Sequence, residues 1–438
     1  MSVTGEPLGQ SAETTDQYRP LDTSKSEIRL LSFENTAKHT PVRLNLHYVS
    51  LNDWKPEYVT FRDQNASTSR SQLSEAWSDR FEFTLATPRS EIYDAVTRFT
   101  WGDYTCLSYT WGDCAAQKAT IFLDGVAIAV NKNLVAALRD LRSGYECQLG
   151  IKVWADALCI NQADVLDRNA HILRVKDIFG GAFSVTVWTK EHDDLGALSL
   201  HLSGERLTLC EVVLREYGRE ALEELLGVRD RNWGAVEDKD EQLRELVEDV
   251  DVLVFDQYHW ADSDDEDDYG FGTLHLRDIV RVELWQMFLK KYWSRLWIIQ
   301  ELAVSPSTST VHWGGCWFQL STLQAIGDIL LAHPGSGDLD SGNWEGLKLR
   351  LDLLAFISTW RTLEATSGVT ECSLNDASIR ELNLLAQHAD CSLPQDKVYG
   401  LLGLFPSSVS SAVAIDYSRE TAVVLAEFCS VVPGWNCN

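Results

Sequence analysis

The chain of 438 residues has a formal charge of -27 and a pI near 4.7, which excludes the broad basic face that general attraction to nucleic acid or an anionic membrane requires. An apolar fraction of 45%, with 16 Trp, 13 Tyr and 15 Phe, excludes a disordered chain and suits a large packed core. The length fits two units, or one enlarged domain with insertions.

The start, MSVTGEPLGQ, is polar, and no later run reaches the roughly 18 apolar residues of a membrane span. A soluble cytoplasmic protein is therefore expected. Glu27 to Phe33 (EIRLLSF) alternates apolar and polar residues and predicts a strand. Residues 62–80, rich in Ser and Gln, predict a polar loop within an N-terminal extension over 1–100.

From Tyr104 the pattern tightens. YTCLSY predicts a short buried strand, and ATIFLDGVAIAV predicts two strands around Asp124-Gly125, a strong two-residue hairpin signal. Asn133 is expected to cap a helix running to about Arg142. IKVWADAL predicts a strand over 151–156 that ends on Asp156. Residues 163–179 predict one helix with Val165, Ile172, Val175 and Phe179 on one side, stopped by Gly180-Gly181. SVTVWT predicts a strand over 184–189. Strands alternating with helices imply an α/β core with a parallel or mixed sheet flanked by helices.

Between 190 and 275 this rhythm breaks. Residues 237–268 hold 15 acidic side chains against two basic ones and end in DSDDEDD. The run lacks the spaced ligands, mid-loop Gly and terminal Glu of a calcium loop, so it reads as a solvated insertion. Beyond it one helix is expected over 276–304, a strand at TVHWG, 310–314, and helices near 317–332, 347–364, 374–389 and 419–430. The core thus covers 101–315, and a helical C-terminal region covers 316–438.

Ten cysteines are scattered without a CxxC pair or a His/Cys cluster at zinc spacing, which predicts mostly buried, reduced thiols and no metal site. Three segments combine polar groups with apolar surroundings. In CLSYTWGD, Ser108, Trp111, Gly112 and Asp113 lie at or beyond the carboxyl end of a strand, where open α/β sheets bind ligands; the plain alternative is a tight turn with a core Trp. In WADALCINQ, Asp156 ends a strand and Asn161-Gln162 precede a helix, as ligand groups or as cap and turn residues. Cys159 has no basic partner nearby in sequence and reads as a structural thiol.

The third segment is YWSRLWIIQEL, residues 292–302. On one continuous helix Trp293, Trp297 and Glu301 share a face, and Arg295 lies roughly 120° around the axis from Glu301. A buried carboxylate must find compensation elsewhere or stay protonated; the plain alternative to a functional role is a salt bridge to Arg168, Arg174 or Arg361. No Walker loop, GxGxxG, GxSxG or HExxH motif is present.

CLSYTWGD, VWADALCINQADVLDR and YWSRLWIIQELAVS, in this order, resemble the hallmarks of the fungal heterokaryon incompatibility (HET) domain family. YRPLDTSKSEIRLLSF, NLVAALRDLR, DKVYGLLGLF and DYSRETAVVLAEF extend the likeness from Tyr18 to Phe428. The chain departs from the family in writing Asp167-Arg168 where a Glu-Arg pair is usual, and the repeat or nucleotide-binding domains of some relatives are not expected in it. The family is in turn similar to TIR domains, which implies a flavodoxin-like parallel sheet. In TIR enzymes that cleave NAD, the glutamate of the helix matching SRLWIIQEL is catalytic, so the resemblance implies a catalytic Glu301. Ser108, Trp111, Gly112, Asp113, Asp156, Asn161, Gln162 and Trp297 would then line a substrate pocket, with NAD as substrate and no bound cofactor. It further implies a trigger of cell death in fungal nonself recognition that self-associates and meets a protein partner. A self-assembling adaptor without catalysis, with Glu301 purely structural, is the alternative.

Overall fold

A computed structural model describes residues 18–34, 40–51, 104–112, 117–144, 147, 151–189, 199–202, 205–226, 276–306, 309–313, 316–332, 341–367 and 374–435. The expected loop at 62–80 and the acidic run at 237–268 lie outside them.

Among the described residues eleven strands form one mixed sheet: β1 (Glu27–Phe33), β2 (Arg43–Ser50), β3 (Tyr104–Tyr109), β4 (Lys118–Leu123), β5 (Val126–Asn131), β6 (Lys152–Trp154), β7 (Ser184–Trp188), β8 (Ser199–Leu202), β9 (Glu205–Thr208), β10 (Thr310–Trp313) and β11 (Cys316–Gln319). Their spatial order is β5-β4-β2-β1-β6-β3-β7-β10-β11-β9-β8. The centre, β6-β3-β7-β10, is parallel throughout. Counted along the chain from β3, its order is second, first, third, fourth. All six residues of β3 and all five of β7 are buried, as helices on both faces of a parallel sheet require. Thr105 and Ser184 are tolerated there because their hydroxyls find partners, Thr105 Oγ1 donating to the Ser184 carbonyl at 3.1 Å.

The hairpin β4–β5 turns at Asp124-Gly125, with φ of 48° and 78°, the left-handed pair that a two-residue turn needs and that Asp and Gly tolerate. Helix α1 (Lys132–Ser143) follows. Its N-cap position falls on Asn131; Asn133, expected as the cap, sits in the first turn and donates to the Thr110 carbonyl at 3.4 Å.

The strand expected over 151–156 stops at Trp154, and Asp156 instead opens the one-turn helix α2 (Asp156–Cys159). The single helix expected over 163–179 is two, α3 (Val165–Ile172) and α4 (Val175–Gly181). Asp164 caps α3 by accepting from the Leu166 amide at 2.9 Å. Between them Arg174 leaves the helical path and donates to the carbonyl oxygens of Ser26 and Glu27. The break turns Val165 and Leu173 outward, so Val165 is exposed rather than core-facing.

Helices α5 (Leu209–Tyr217) and α6 (Arg219–Leu225) show that 190–275 holds regular elements as well as the acidic run. Downstream lie α7 (Leu276–Leu289), α8 (Trp297–Ala303), α9 (Leu320–Ala332), α10 (Ser341–Ser367), α11 (Asp376–His388), α12 (Asp396–Tyr399), α13 (Ser407–Ser410) and α14 (Thr421–Val431). The helix expected from 317 begins at Leu320 because Cys316–Gln319 pairs with β10 and touches β9. Helix α8 packs on α10, on α4 and on a 3-10 turn at Leu402–Leu404. Cys106, Cys147, Cys159 and Cys210 are buried thiols outside any disulfide and Cys391 is a half-buried one; Cys429 is disulfide-bonded.

Candidate functional site: a carboxylate pair around Arg295

The helix expected over 276–304 ends at Leu289 and resumes only at Trp297, inside YWSRLWIIQEL. Lys291–Ser294 forms a 3-10 turn, and Arg295 is extended at φ -68° and ψ 134°. The chain then re-enters the helix as α8. Asp390, ahead of α12, grips both sides of the break. Its carbonyl accepts from the Leu296 amide at 2.8 Å, its amide donates to the Ser294 carbonyl at 2.5 Å, and its carboxylate accepts from the Ser294 hydroxyl at 2.6 Å.

This geometry overturns the expectation for Glu301. Freed from the helix face, Arg295 reaches back, its Nη2 3.4 Å from Glu301 Oε1. The cation is therefore Arg295; Arg361 donates to the Leu302 carbonyl and the Ser305 hydroxyl instead, and Arg174 to Ser26 and Glu27. The other oxygen of Glu301 accepts from the Ser108 hydroxyl on β3. That hydroxyl in turn lies 2.7 Å from the Tyr292 phenol. Because Ser108 spends its proton on Glu301, Tyr292 donates to Ser108. Burial, reinforced by the charge of Glu301, pushes the Tyr292 phenol far above its usual range. Burial alone would lower Arg295, but Glu301, Tyr292 and Asp156 outweigh it and raise the guanidinium above its usual value.

Asp156 is the second carboxylate. Its Oδ2 accepts from the Trp111 indole at 2.7 Å and its Oδ1 from the Ala157 amide at 2.7 Å. Burial, joined by the charge of Glu301, raises its carboxyl to about 6, against the pull of Arg295, the indole and the amide. Trp111 is 39% exposed, tethered by Asp156 and by Asn131, whose amide donates to the Trp111 carbonyl at 2.6 Å. Gly112 follows at φ 82°, a conformation that a side chain would strain.

Ser108, Trp111, Gly112, Asp156 and Glu301 thus cluster around the carboxyl ends of β3 and β6. Asp113 lies outside the described residues. Asn161 and Gln162 support their own loop: Asn161 Oδ1 accepts from the Ala163 amide at 3.3 Å, and Gln162 Nε2 donates to the Asp156 carbonyl at 3.0 Å. Trp297 faces α12, where its ring would lie 3.4 Å from a Cβ at Gly400 and its indole bonds the buried Asp396 carboxyl. Cys159 is fully buried, with its thiol pushed up to about 12 by that burial, so it is no nucleophile. Sequence reasoning missed Tyr292, Arg295 and Tyr109, whose buried phenol is hydrogen-bonded to Asp156. All three sit inside the quoted motifs, and an arginine in a run this apolar was the available signal.

A carboxylate ion-paired to a guanidinium, with a second carboxylate near enough to act electrostatically on both, can orient hydroxyl groups and stabilise developing positive charge. Among the described residues no group of His, Cys, Asp and Glu side chains could hold a metal ion, and no helix is long and apolar enough to cross a membrane.

Residues 104–301 match the family model for the heterokaryon incompatibility protein (HET) family, a segment that opens on the first residue of β3 and closes on Glu301. Over 216 residues the chain is 25% identical to "Heterokaryon incompatibility protein 6, OR allele" of Neurospora crassa, a match covering 47% of this chain and 28% of that protein. The chain thus spans less than a third of this relative's length. No solved structure matches it.

Proposed function

We propose, from the match of residues 104–301 to the heterokaryon incompatibility family model, that this chain acts in fungal nonself recognition and triggers cell death by cleaving NAD between ribose and nicotinamide. The observation that carries the enzymatic reading is the ion-paired, hydroxyl-bound Glu301 set against β3 beside a second carboxylate, Asp156. The strand order second, first, third, fourth supports a flavodoxin-like, TIR-like core, in which loops beyond the carboxyl ends of the strands bind ligands.

In the proposed reaction the bond from C1′ to the pyridinium nitrogen breaks and its electron pair leaves with nicotinamide, which departs neutral. Glu301 stabilises the oxocarbenium-like carbon left behind, as carboxylates do in glycoside hydrolysis. Water adds to that carbon and loses its proton, giving ADP-ribose. The leaving group needs no general acid. Trp111 offers an exposed ring face for stacking.

One observation favours the second reading, a self-assembling adaptor without catalysis: Glu301 is already satisfied within the chain, by Arg295 and Ser108. Incubating the full chain and its Glu301→Gln variant with NAD and measuring nicotinamide separates the two. Release by the parent chain and a loss of at least a hundredfold in the variant is the enzymatic outcome. Equal release from both removes Glu301 from the mechanism, and no release from either leaves the adaptor.

A further inference from the structure

The helix expected here ends at Leu289, a 3-10 turn follows over Lys291–Ser294, and Arg295 is extended between two residues that make three hydrogen bonds with Asp390. The Arg295 guanidinium is used incompletely: Nη2 pairs with Glu301, whereas Nη1 is buried with no acceptor among the described residues. An unpaired buried donor on a charged group keeps its full desolvation cost, which an arriving acceptor relieves.

The surrounding charge limits what that acceptor can be. Glu301 and Asp156 both act electrostatically on Arg295, so with both ionised the cluster has a net charge of about -1, and a phosphate would meet two carboxylates for one cation. A neutral oxygen meets no such opposition, and a cationic group beside it gains from the carboxylates. Carbonyl oxygen and delocalised positive charge on one small ring describe a pyridinium carboxamide. Trp111, exposed and held to Asp156 by an indole hydrogen bond, offers such a ring a face to stack on.

We propose that Arg295 is a ligand-binding residue that donates Nη1–H to the carboxamide oxygen of a pyridinium ring, and so selects nicotinamide-bearing cations over plain pyridinium cations and over phosphates. This assignment deepens the NAD-cleavage reading by naming the part of the substrate that Arg295 reads, and it rests on that reading for its biological meaning but not for its test. Calorimetric titration of the full chain with 1-methylnicotinamide and with 1-methylpyridinium compares two cations that differ by the carboxamide. Tighter binding of 1-methylnicotinamide by about tenfold or more is expected, since the contact is a hydrogen bond from a charged donor. In Arg295→Lys, which keeps the charge and loses the planar fork, the preference should fall below about threefold. Equal affinity of the two probes for the parent chain, no measurable binding of either, or an undiminished preference in Arg295→Lys would overturn the assignment. The first two outcomes do not depend on the variant folding. A preference that depends on Arg295 in a chain that releases no nicotinamide from NAD would sustain the assignment and remove the cleavage reading alone.

Discussion

Glu301 is the residue whose surroundings depart most from what its sequence neighbours imply. An acid ending an apolar run was legible as an anomaly, and its link to the CLSYTWGD strand was legible through the resemblance. The partner was not, because on a continuous helix Arg295 would point away from Glu301. What removes the helix there is Asp390, 95 residues downstream, and no local propensity encodes that contact. Asp156 carries a prediction at this scale. Its carboxyl, ordinarily near 3.8, is raised to about 6 in the folded protein, chiefly by burial, so between these values the folded state binds the proton more tightly than the unfolded chain. The stability it contributes is complete below about pH 4 and lost as pH rises through 6, on the order of 3 kcal/mol in all. Melting temperatures of the parent chain and of Asp156→Asn, compared at pH 4 and pH 7, should show the parent losing ground to the variant as pH rises. A parent that gains relative to the variant would contradict the assignment.

Among the elements, those dictated by near neighbours were readable. The β4–β5 hairpin is one, since Asp124-Gly125 supplies the left-handed backbone its turn demands. The Gly180-Gly181 stop is another, ending α4 as expected. Elements decided by distant partners were misread: α3 and α4 as one helix, α7 and α8 as one helix, and β11 as the start of α9. Helix α8 shows how tightly distant partners act. The buried side chain of Gln300 accepts from the Gly403 amide at 3.0 Å, and a Cβ on Gly403 would stand 2.9 Å from the Gln300 amide carbon. Gly403→Ala should therefore cost about 1–3 kcal/mol through overpacking, read as a lower midpoint in urea unfolding. Gly125, where a Cβ meets nothing but φ is positive, gives a contrast: there the penalty comes from the backbone. An unchanged midpoint for Gly403→Ala would mean that α8 and the Leu402–Leu404 turn are free to separate.

Charge is the property that matters most for the whole molecule. At -27 two copies repel each other, and the repulsion is screened as salt shortens the Debye length from about 30 Å at 0.01 M to about 8 Å at 0.15 M. If the chain self-associates as proposed, the assembled fraction in sedimentation should rise with added salt at constant pH; a fall would point to contacts built on opposite charges. The overall α/β architecture was foreseeable from alternating strands and helices, but not the width of the sheet. Strands β8, β9 and β11 are short, and pairing with one another and with β10 makes them strands. That width bears on how the protein can be divided. The family-matched span, 104–301, contains β3 to β9 but neither β1, which lies along β6, nor β10, which lies along β7. A chain trimmed to the matched span would expose two raw edges in the middle of the sheet, flanking the strand that carries Ser108. Exposed edges of this kind recruit strands from other molecules, so the trimmed piece should precipitate or form swapped multimers, and clumping in such a piece would be an artefact of cutting rather than a sign of signalling assembly.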